Sequence, residues 1–429
     1  MHGWRNGAVA HILRCPGSVE QYLVVNPGFH KLHTYPFERL ARLRGNAVPA
    51  NMPPLNLSVG EPKHPTPDFI LAEMQRCLFT SGKYPTIKGL PELREAIHSW
   101  LIRRFKLPID SLDAETQILP VTGTREALFA IAHCLIDTSR PDPVVVTGNP
   151  FYQTYEGAAI LAGARPYYVN TLESSGYLPD FARVPASVWE QTQIVYLCSP
   201  NNPTGEIIDQ AGYELMFELA DRHEFTLVAD ECYCEIYPDE NHPPLGILQA
   251  CIKAGRHDFD RCIAFHSLSK RSNAPGMRSG FVAGDRKLVE LFFRYRTYHG
   301  CTMPLYTQMA SIAAWQDEQH VIENRRLYRE KFDAVLKVLK PAMKVHNPPA
   351  SFYLWPQTPI DDVEFTRSLY INQNLLVLPG TFNSREVNGV NPGNGRIRIA
   401  LVAPLDDCIE AANRICILIN SLEKQGTVS

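Results

Sequence analysis

The sequence predicts an α/β protein in which a large domain, built on a mostly parallel, doubly wound sheet, is followed by a smaller α+β domain at the C-terminus. Three observations predict it. Between about residue 118 and residue 300, short apolar runs alternate with stretches of helical period, which is the pattern of buried strands joined by crossover helices. From residue 317 a long amphipathic stretch gives way to short strand-like runs mixed with helical ones. The length, 429 residues, also exceeds what one ordinary core accommodates.

Taken in order, residues 1–30 read as an N-terminal extension; Met1 to Val24 carry no clear period or cap and precede Val25-Asn26-Pro27, a natural beginning. Residues 31–66 read as an arm that packs with the small domain, with Tyr35-Pro36-Phe37 leading into a short helix over 38–44 and a Pro-rich stretch over 49–54. The large domain is expected over 67–308. It opens on helices over 67–79 and 91–105, where apolar positions recur at three and four residues and Pro stands where a helix start tolerates it. Strands are expected over 144–147, 194–198, 226–229, 262–265 and 279–283, with helices over 124–136, 211–223 and 286–296 covering the sheet. Ligands of such sheets bind at the carboxyl ends of the strands. The small domain, 309–429, should hold a helix over 317–339, strands over 352–355, 375–378 and 396–401, and helices over 361–372 and 405–422.

Composition narrows the function classes. Hydrophobic residues make up 45% and charged residues 20%, which belongs to a globular chain with a large core. A formal net charge of −3 and the lack of a basic stripe with interleaved aromatics argue against nucleic acid and for small-molecule partners. The 11 cysteines are irregularly spaced with no paired CxxC, so neither a disulfide scaffold nor a metal site is expected, and Cys232 and Cys234 read as core thiols. With no apolar run of membrane-spanning length and no signal-peptide pattern, a cytoplasmic protein is expected.

Four segments carry chemistry. Ser267-Leu268-Ser269-Lys270 follows an apolar run and is read as a loop at a sheet edge, with Arg278 eight residues beyond the lysine. A lysine there can form a Schiff base while Ser267, Ser269 and Arg278 grip a phosphate, although taken alone the segment also reads as a solvated basic loop. Asp230 stands at the end of another apolar run, with Tyr233 three residues on, where a cofactor ring nitrogen and ring hydroxyl can be met. Asn202 lies in the turn Asn201-Asn202-Pro203-Thr204-Gly205 after a third run and can donate to the ring oxygen. Gly123, Thr124 and Arg125 stand at a helix start, where free N–H groups and the helix dipole can face a phosphate.

The order GTREAL, NPFYQTYE, NNPTG, DECY, SLSK and GRIRIAL resembles the class I and II aminotransferases of pyridoxal 5′-phosphate (PLP) fold type I, over nearly the whole chain after Tyr35. The resemblance implies that Lys270 carries PLP, that Asp230 pairs with the pyridine nitrogen, and that Asn202 and Tyr233 reach the ring hydroxyl. It implies that Tyr152 stacks on the ring, and that Gly123, Thr124, Arg125, Ser267, Ser269 and Arg278 hold the phosphate. Tyr84 would join them from the partner subunit of a homodimer with shared active sites. Arg398 would clamp the substrate α-carboxylate, with Asn202 and Gly60 beside it, and Lys270, Asp230 and Tyr233 would be the catalytic residues.

Within the family, TYPFERLARL, LSVGEPKHPTP, LPGTFNSREVNGVNPGNGRIRIALVAPL and DDCIEAANRI resemble the N-succinyldiaminopimelate aminotransferases of bacterial lysine biosynthesis. That implies transfer of an amino group from N-succinyl-L,L-2,6-diaminopimelate to 2-oxoglutarate. Such a donor carries a distant carboxylate, for which Lys63, His64, Arg385 and Asn388 are candidate partners. An aspartate- or aromatic-type aminotransferase and a PLP-dependent β-lyase remain alternatives, as does a PLP-sensing regulatory domain outside enzymes, although the N-terminal extension is too short and too weakly basic for a DNA-binding module.

Overall fold

Apolar runs bounded by turns become strands here because their side chains are buried on both sheet faces. A computed structural model describes residues 25–426. The extension expected over 1–24 lies outside the described residues; Pro27–Lys31 forms a 3-10 turn in which Gly28 is buried and Asn26 Nδ2 donates to the Leu161 carbonyl at 3.4 Å.

Along the chain the strands are β1 (Leu55–Asn56), β2 (Ile118–Val121), β3 (Val144–Asn149), β4 (Arg165–Asn170), β5 (Thr192–Cys198), β6 (Thr226–Asp230), β7 (Cys262–Ser267) and β8 (Gly280–Gly284). β9 (Tyr353–Leu354), β10 (Leu375–Leu376), β11 (Leu378–Pro379) and β12 (Ile397–Ala400) follow. A seven-stranded sheet runs in the order β2-β8-β7-β6-β5-β3-β4. Every neighbouring pair from β7 through β4 is parallel, while β8 runs antiparallel to both β7 and β2.

Alternate residues of one strand enter different cores. Val195 and Leu197 face one apolar cluster with Trp100, Phe217 and Trp315; Ile194 and Tyr196 face another with Leu128, Ile131 and Tyr155. Helices Pro91–Phe105 and Gln210–His223 pack into the first cluster, and Thr124–Leu135 and Gln153–Leu161 into the second, so the sheet is covered on both faces as a doubly wound fold requires.

The second core gathers Leu55 and Leu57 of the arm with residues of the helices Gln319–Leu339, Asp362–Gln373 and Leu405–Lys424. Its antiparallel sheet has the order β11-β12-β9, and β1 pairs with β10 in parallel, Leu55 opposite Leu375. In β12, Ile397 and Ile399 point into this core, which turns Arg398 toward the large sheet.

The structure departs from expectation at several elements. The 317–339 stretch is a helix from Gln319, preceded by a separate helix, Leu305–Gln316, that straddles the 308/309 boundary; its Ala310, Ala314 and Trp315 lie in the large-sheet core. That helix is apolar on most sides and lacks an amphipathic stripe to betray it. The 375–378 stretch divides into β10 and β11, which pair with different strands. The helix expected over 67–79 ends at Arg76 and tightens into a 3-10 turn over Leu78–Gly82. Among the described residues no helix is long and apolar enough to cross a membrane.

Candidate active site

Cys198, Asp230 and Ser267 are the last residues of the adjacent strands β5, β6 and β7, so their side chains reach the carboxyl edge of the sheet together. There a cavity of about 370 Å³ is lined by Gly60, Thr124, Arg125, Tyr152, Asn202, Asp230, Tyr233, Ser267, Ser269, Lys270, Arg278 and Arg398. Residues separated by more than 300 positions in sequence thus meet in one place.

Asp230 is buried, and among the described residues it forms no ion pair; the Tyr155 hydroxyl donates to its Oδ2 at 2.6 Å and the Cys232 N–H to its Oδ1 at 3.3 Å. Burial, and then the Asp230 charge, push the Tyr155 phenol well above its ordinary pKa, so the phenol keeps its proton and donates it. Burial raises Cys198 to about 12, with Asp230 adding to the effect. A buried carboxylate served only by neutral donors suits a cationic ligand atom.

The turn after β7 corrects the expectation of a loop at a sheet edge. Leu268–Arg271 is one helical turn at the end of an interior strand, capped by Ser267, whose Oγ accepts the Ser269 N–H at 3.0 Å and donates to the Ser279 carbonyl at 3.3 Å. Small polar residues serve here as a cap, which is why the segment read as a loop. The turn aims Lys270 into the cavity, where Nζ donates to the Gly60 carbonyl at 2.5 Å. Burial, opposed by Cys232 and reinforced by Arg398, lowers the Lys270 amine to about 8.

Gly123 caps the helix Thr124–Leu135 at φ 83°, and a Cβ there would collide with the Arg278 guanidinium and the Glu126 carboxylate. Glycine alone allows this close approach, and the helix start brings Thr124 and Arg125 to the cavity beside Ser267 and Ser269, although Gly123 itself does not line it. Arg278 Nη2 is bound to Glu126 Oε2 at 2.5 Å, so the arginine read as a phosphate ligand reaches the cavity already paired with a carboxylate that sequence reasoning did not anticipate.

On the opposite wall, Arg398 donates from Nη1 to Asn202 Oδ1 at 3.1 Å and from Nη2 to the Ser58 carbonyl at 2.7 Å, while its buried Nε has no partner. Asn202 is presented by a turn that Asn201 closes, its Oδ1 accepting from Thr204 N at 3.3 Å and Thr204 Oγ1 at 3.1 Å. The residues present fit PLP: a lysine of lowered pKa, a carboxylate lacking a cation, an N–H-lined helix start with two serines, and a guanidinium with an unused donor.

Other expectations fall elsewhere. Tyr84 is fully exposed and outside the cavity within one chain. Lys63, His64, Arg385 and Asn388 do not line it. Lys63 pairs with Glu61 at 3.8 Å, His64 Nδ1 donates to Asn324 Oδ1 at 2.8 Å, Arg385 pairs with Glu156 at 2.6 Å, and Asn388 is exposed. Cys232 Sγ lies 3.1 Å from Thr124 Oγ1, whereas Cys234 lies 3.5 Å from His266, so the two thiols face different surroundings. Tyr35, Phe37, Gln153, Tyr353 and Asn383 line the cavity without having been singled out. Tyr35 stands inside the TYPFERLARL stretch, a signal that pointed to the right segment without assigning the residue.

A second cavity, of about 650 Å³, shares Tyr35, Arg125, Glu126 and Gln153 with the first. Arg125 Nη2 donates to the Tyr35 hydroxyl at 3.1 Å on this shared wall.

The sequence model of the aminotransferase class I and II family matches residues 53–415. An LL-diaminopimelate aminotransferase of Nitratidesulfovibrio vulgaris is 30% identical over 392 residues, covering 90% of this chain and 96% of the relative. A crystal structure of an aminotransferase from Neisseria meningitidis superposes with a TM-score of 0.88 at 45% identity, covering 92% of this chain and 100% of the other. A probable N-succinyldiaminopimelate aminotransferase from Thermus thermophilus superposes with a TM-score of 0.76 at 27% identity, covering 88% and 97%.

Proposed function

The chain belongs to the class I and II aminotransferases, which are PLP-dependent, and on that footing we propose that it moves the amino group of N-succinyl-L,L-2,6-diaminopimelate to 2-oxoglutarate, giving glutamate and N-succinyl-2-amino-6-oxopimelate.

When bound, PLP supplies an electron sink that makes the Cα–H bond of an attached amino acid labile. The residues divide the remaining work. Lys270 would hold the cofactor through its Nζ and would serve as the base for the Cα proton; its pKa of about 8 keeps the amine usable close to neutral pH. Asp230 would pair with the ring nitrogen, Tyr233 and Asn202 with the ring oxygen, and Tyr152 would stack on the ring. Thr124, Ser267, Ser269 and the helix start at Gly123 would receive the phosphate. Arg398 receives the α-carboxylate of both amino and oxo acid in a bidentate fork, beside Gly60 and Asn202.

The observation that carries the substrate reading is the wall shared by the two cavities. The inner one holds the cofactor and the reacting end, and a long donor must continue into the outer one. Succinylation replaces the distal ammonium of diaminopimelate with a neutral amide and a carboxylate, so beyond the reacting carbon the donor presents anions. Arg125 stands at the seam with its guanidinium held by the neutral Tyr35 hydroxyl, whereas Arg385 is neutralised by Glu156. Arg125 thus serves the cofactor through its backbone and the distal carboxylate through its side chain. The relatives acting on LL-diaminopimelate favour a second reading, in which the unacylated compound is the donor.

Single-turnover loss of the cofactor's visible absorbance separates the readings. N-succinyl-L,L-diaminopimelate should convert the PLP form at least tenfold faster than L,L-diaminopimelate, aspartate or glutamate, and Arg125→Gln should slow the succinylated donor most. Faster conversion by unacylated L,L-diaminopimelate would establish the second reading instead, and equal rates with aspartate would defeat both.

A further inference from the structure

We propose that Tyr353, on β9, is a positioning residue for the cofactor's ring oxygen: its hydroxyl donates to that of Tyr233, leaving the Tyr233 proton to be offered into the cavity, while its ring holds the Arg398 guanidinium.

The two hydroxyls are 3.1 Å apart, the rings meet at 5.6 Å and 63°, and both side chains line the cavity. Burial raises both phenols, so each carries its proton at neutral pH, and their contact consumes one of the two. With Tyr353 as donor, the Tyr233 oxygen is an acceptor on one side and its O–H a polarised donor on the other, since hydrogen bonds in series strengthen one another. The Arg398 guanidinium lies 4.6 Å from the centroid of the Tyr353 ring.

Glycine at position 60 belongs to the same arrangement. A Cβ there would fall on the Tyr353 hydroxyl, and the Gly60 carbonyl accepts from Lys270 Nζ at 2.5 Å. The phenol therefore sits between the ring-oxygen ligand Tyr233, the carboxylate clamp Arg398 and the segment that steers Lys270. Strand β9 brings it from the small-domain sheet, where Tyr353 is opposite Ala400.

This role rests on the placement of PLP given above. A stronger donor to the ring oxygen favours its unprotonated form and lowers the pH at which the bound cofactor's visible band titrates. Tyr353→Phe should raise that midpoint by about 0.3 pH units or more. In a Tyr233→Phe background the same change should add nothing, because the effect passes through Tyr233. Tyr353→Leu, which also removes the ring, should raise KM for amino and oxo acid alike by roughly tenfold, whereas Tyr353→Phe should move KM far less. A titrating wild-type band whose midpoint Tyr353→Phe leaves within 0.1 pH unit, or an equal shift in the Tyr233→Phe background, would overturn this proposal alone. A wild-type protein that develops no such band on incubation with PLP would overturn the cofactor placement and this proposal with it.

Discussion

The Tyr155 hydroxyl meets Asp230 Oδ2 at 2.6 Å, joining the helix Gln153–Leu161 to the carboxyl end of β6. Tyr155 is itself fixed by stacking on Tyr196, with centroids 4.5 Å apart and planes 10° from parallel. The carboxylate is therefore oriented before any ligand arrives, and a protonated ring nitrogen placed against it would supply the charge that neutral donors leave unbalanced.

Asp230→Asn keeps the shape and removes that charge. Breaking a buried pair by removing one partner costs about 3–5 kcal/mol, so the amino-donor half-reaction should slow by about 10²- to 10⁴-fold. Stopped-flow absorbance on PLP-reconstituted protein measures it, and a rate within tenfold of wild type would remove Asp230 from the role assigned to it.

Lys270 predicts a pH profile. Only the neutral amine is nucleophilic, and burial brings this one to about 8 instead of the ordinary 10.5. The rate at which cofactor-free protein captures PLP should rise with pH up to about 8 and level off above it. Capture trapped by borohydride and located by peptide mass should be lost in Lys270→Ala. A rate still climbing steeply between pH 9 and 10 would mean that the amine is not perturbed.

Which parts of this arrangement were legible in the sequence follows from what each part needs. The runs that became β3, β5, β6 and β7 are mostly apolar because the parallel strands are buried on both faces, and composition exposes them. β4 escaped because it is an edge strand whose side chains are mostly half-buried, with Arg165 and Asn170 at its ends. The reversed direction of β8 leaves no trace in its residues, since an apolar run reads alike in either sense. In the site, Asp230 ends an apolar run, and Lys270 and Asn202 follow one within a few residues, so the sequence marked the segments that bring all three to the cavity. Tyr353 was not marked, because its contact with Tyr233 is made across 120 positions between domains. The partner of Arg385 was hidden for a related cause: Glu156 lies 229 positions away, and an ion pair looks in sequence like two unrelated charges.

Tyr84 supplies the last prediction. It is fully exposed, just after the 3-10 turn Leu78–Gly82 that also leaves Phe79 exposed, and it does not line the cavity of its own chain. Two large aromatic side chains exposed within six residues of each other mark a surface that a second chain can cover. A homodimer in which this segment crosses to the partner, as we propose, would cover them and would deliver the Tyr84 hydroxyl to the partner's phosphate site. Light scattering after size exclusion should give about twice the 48.3 kDa of one chain. Tyr84→Phe should leave that mass unchanged while weakening PLP binding by about tenfold or more, the worth of one hydrogen bond to a charged group. An active enzyme that stays monomeric, or a Tyr84→Phe protein that binds PLP as tightly as wild type, would show that each active site is completed by its own chain.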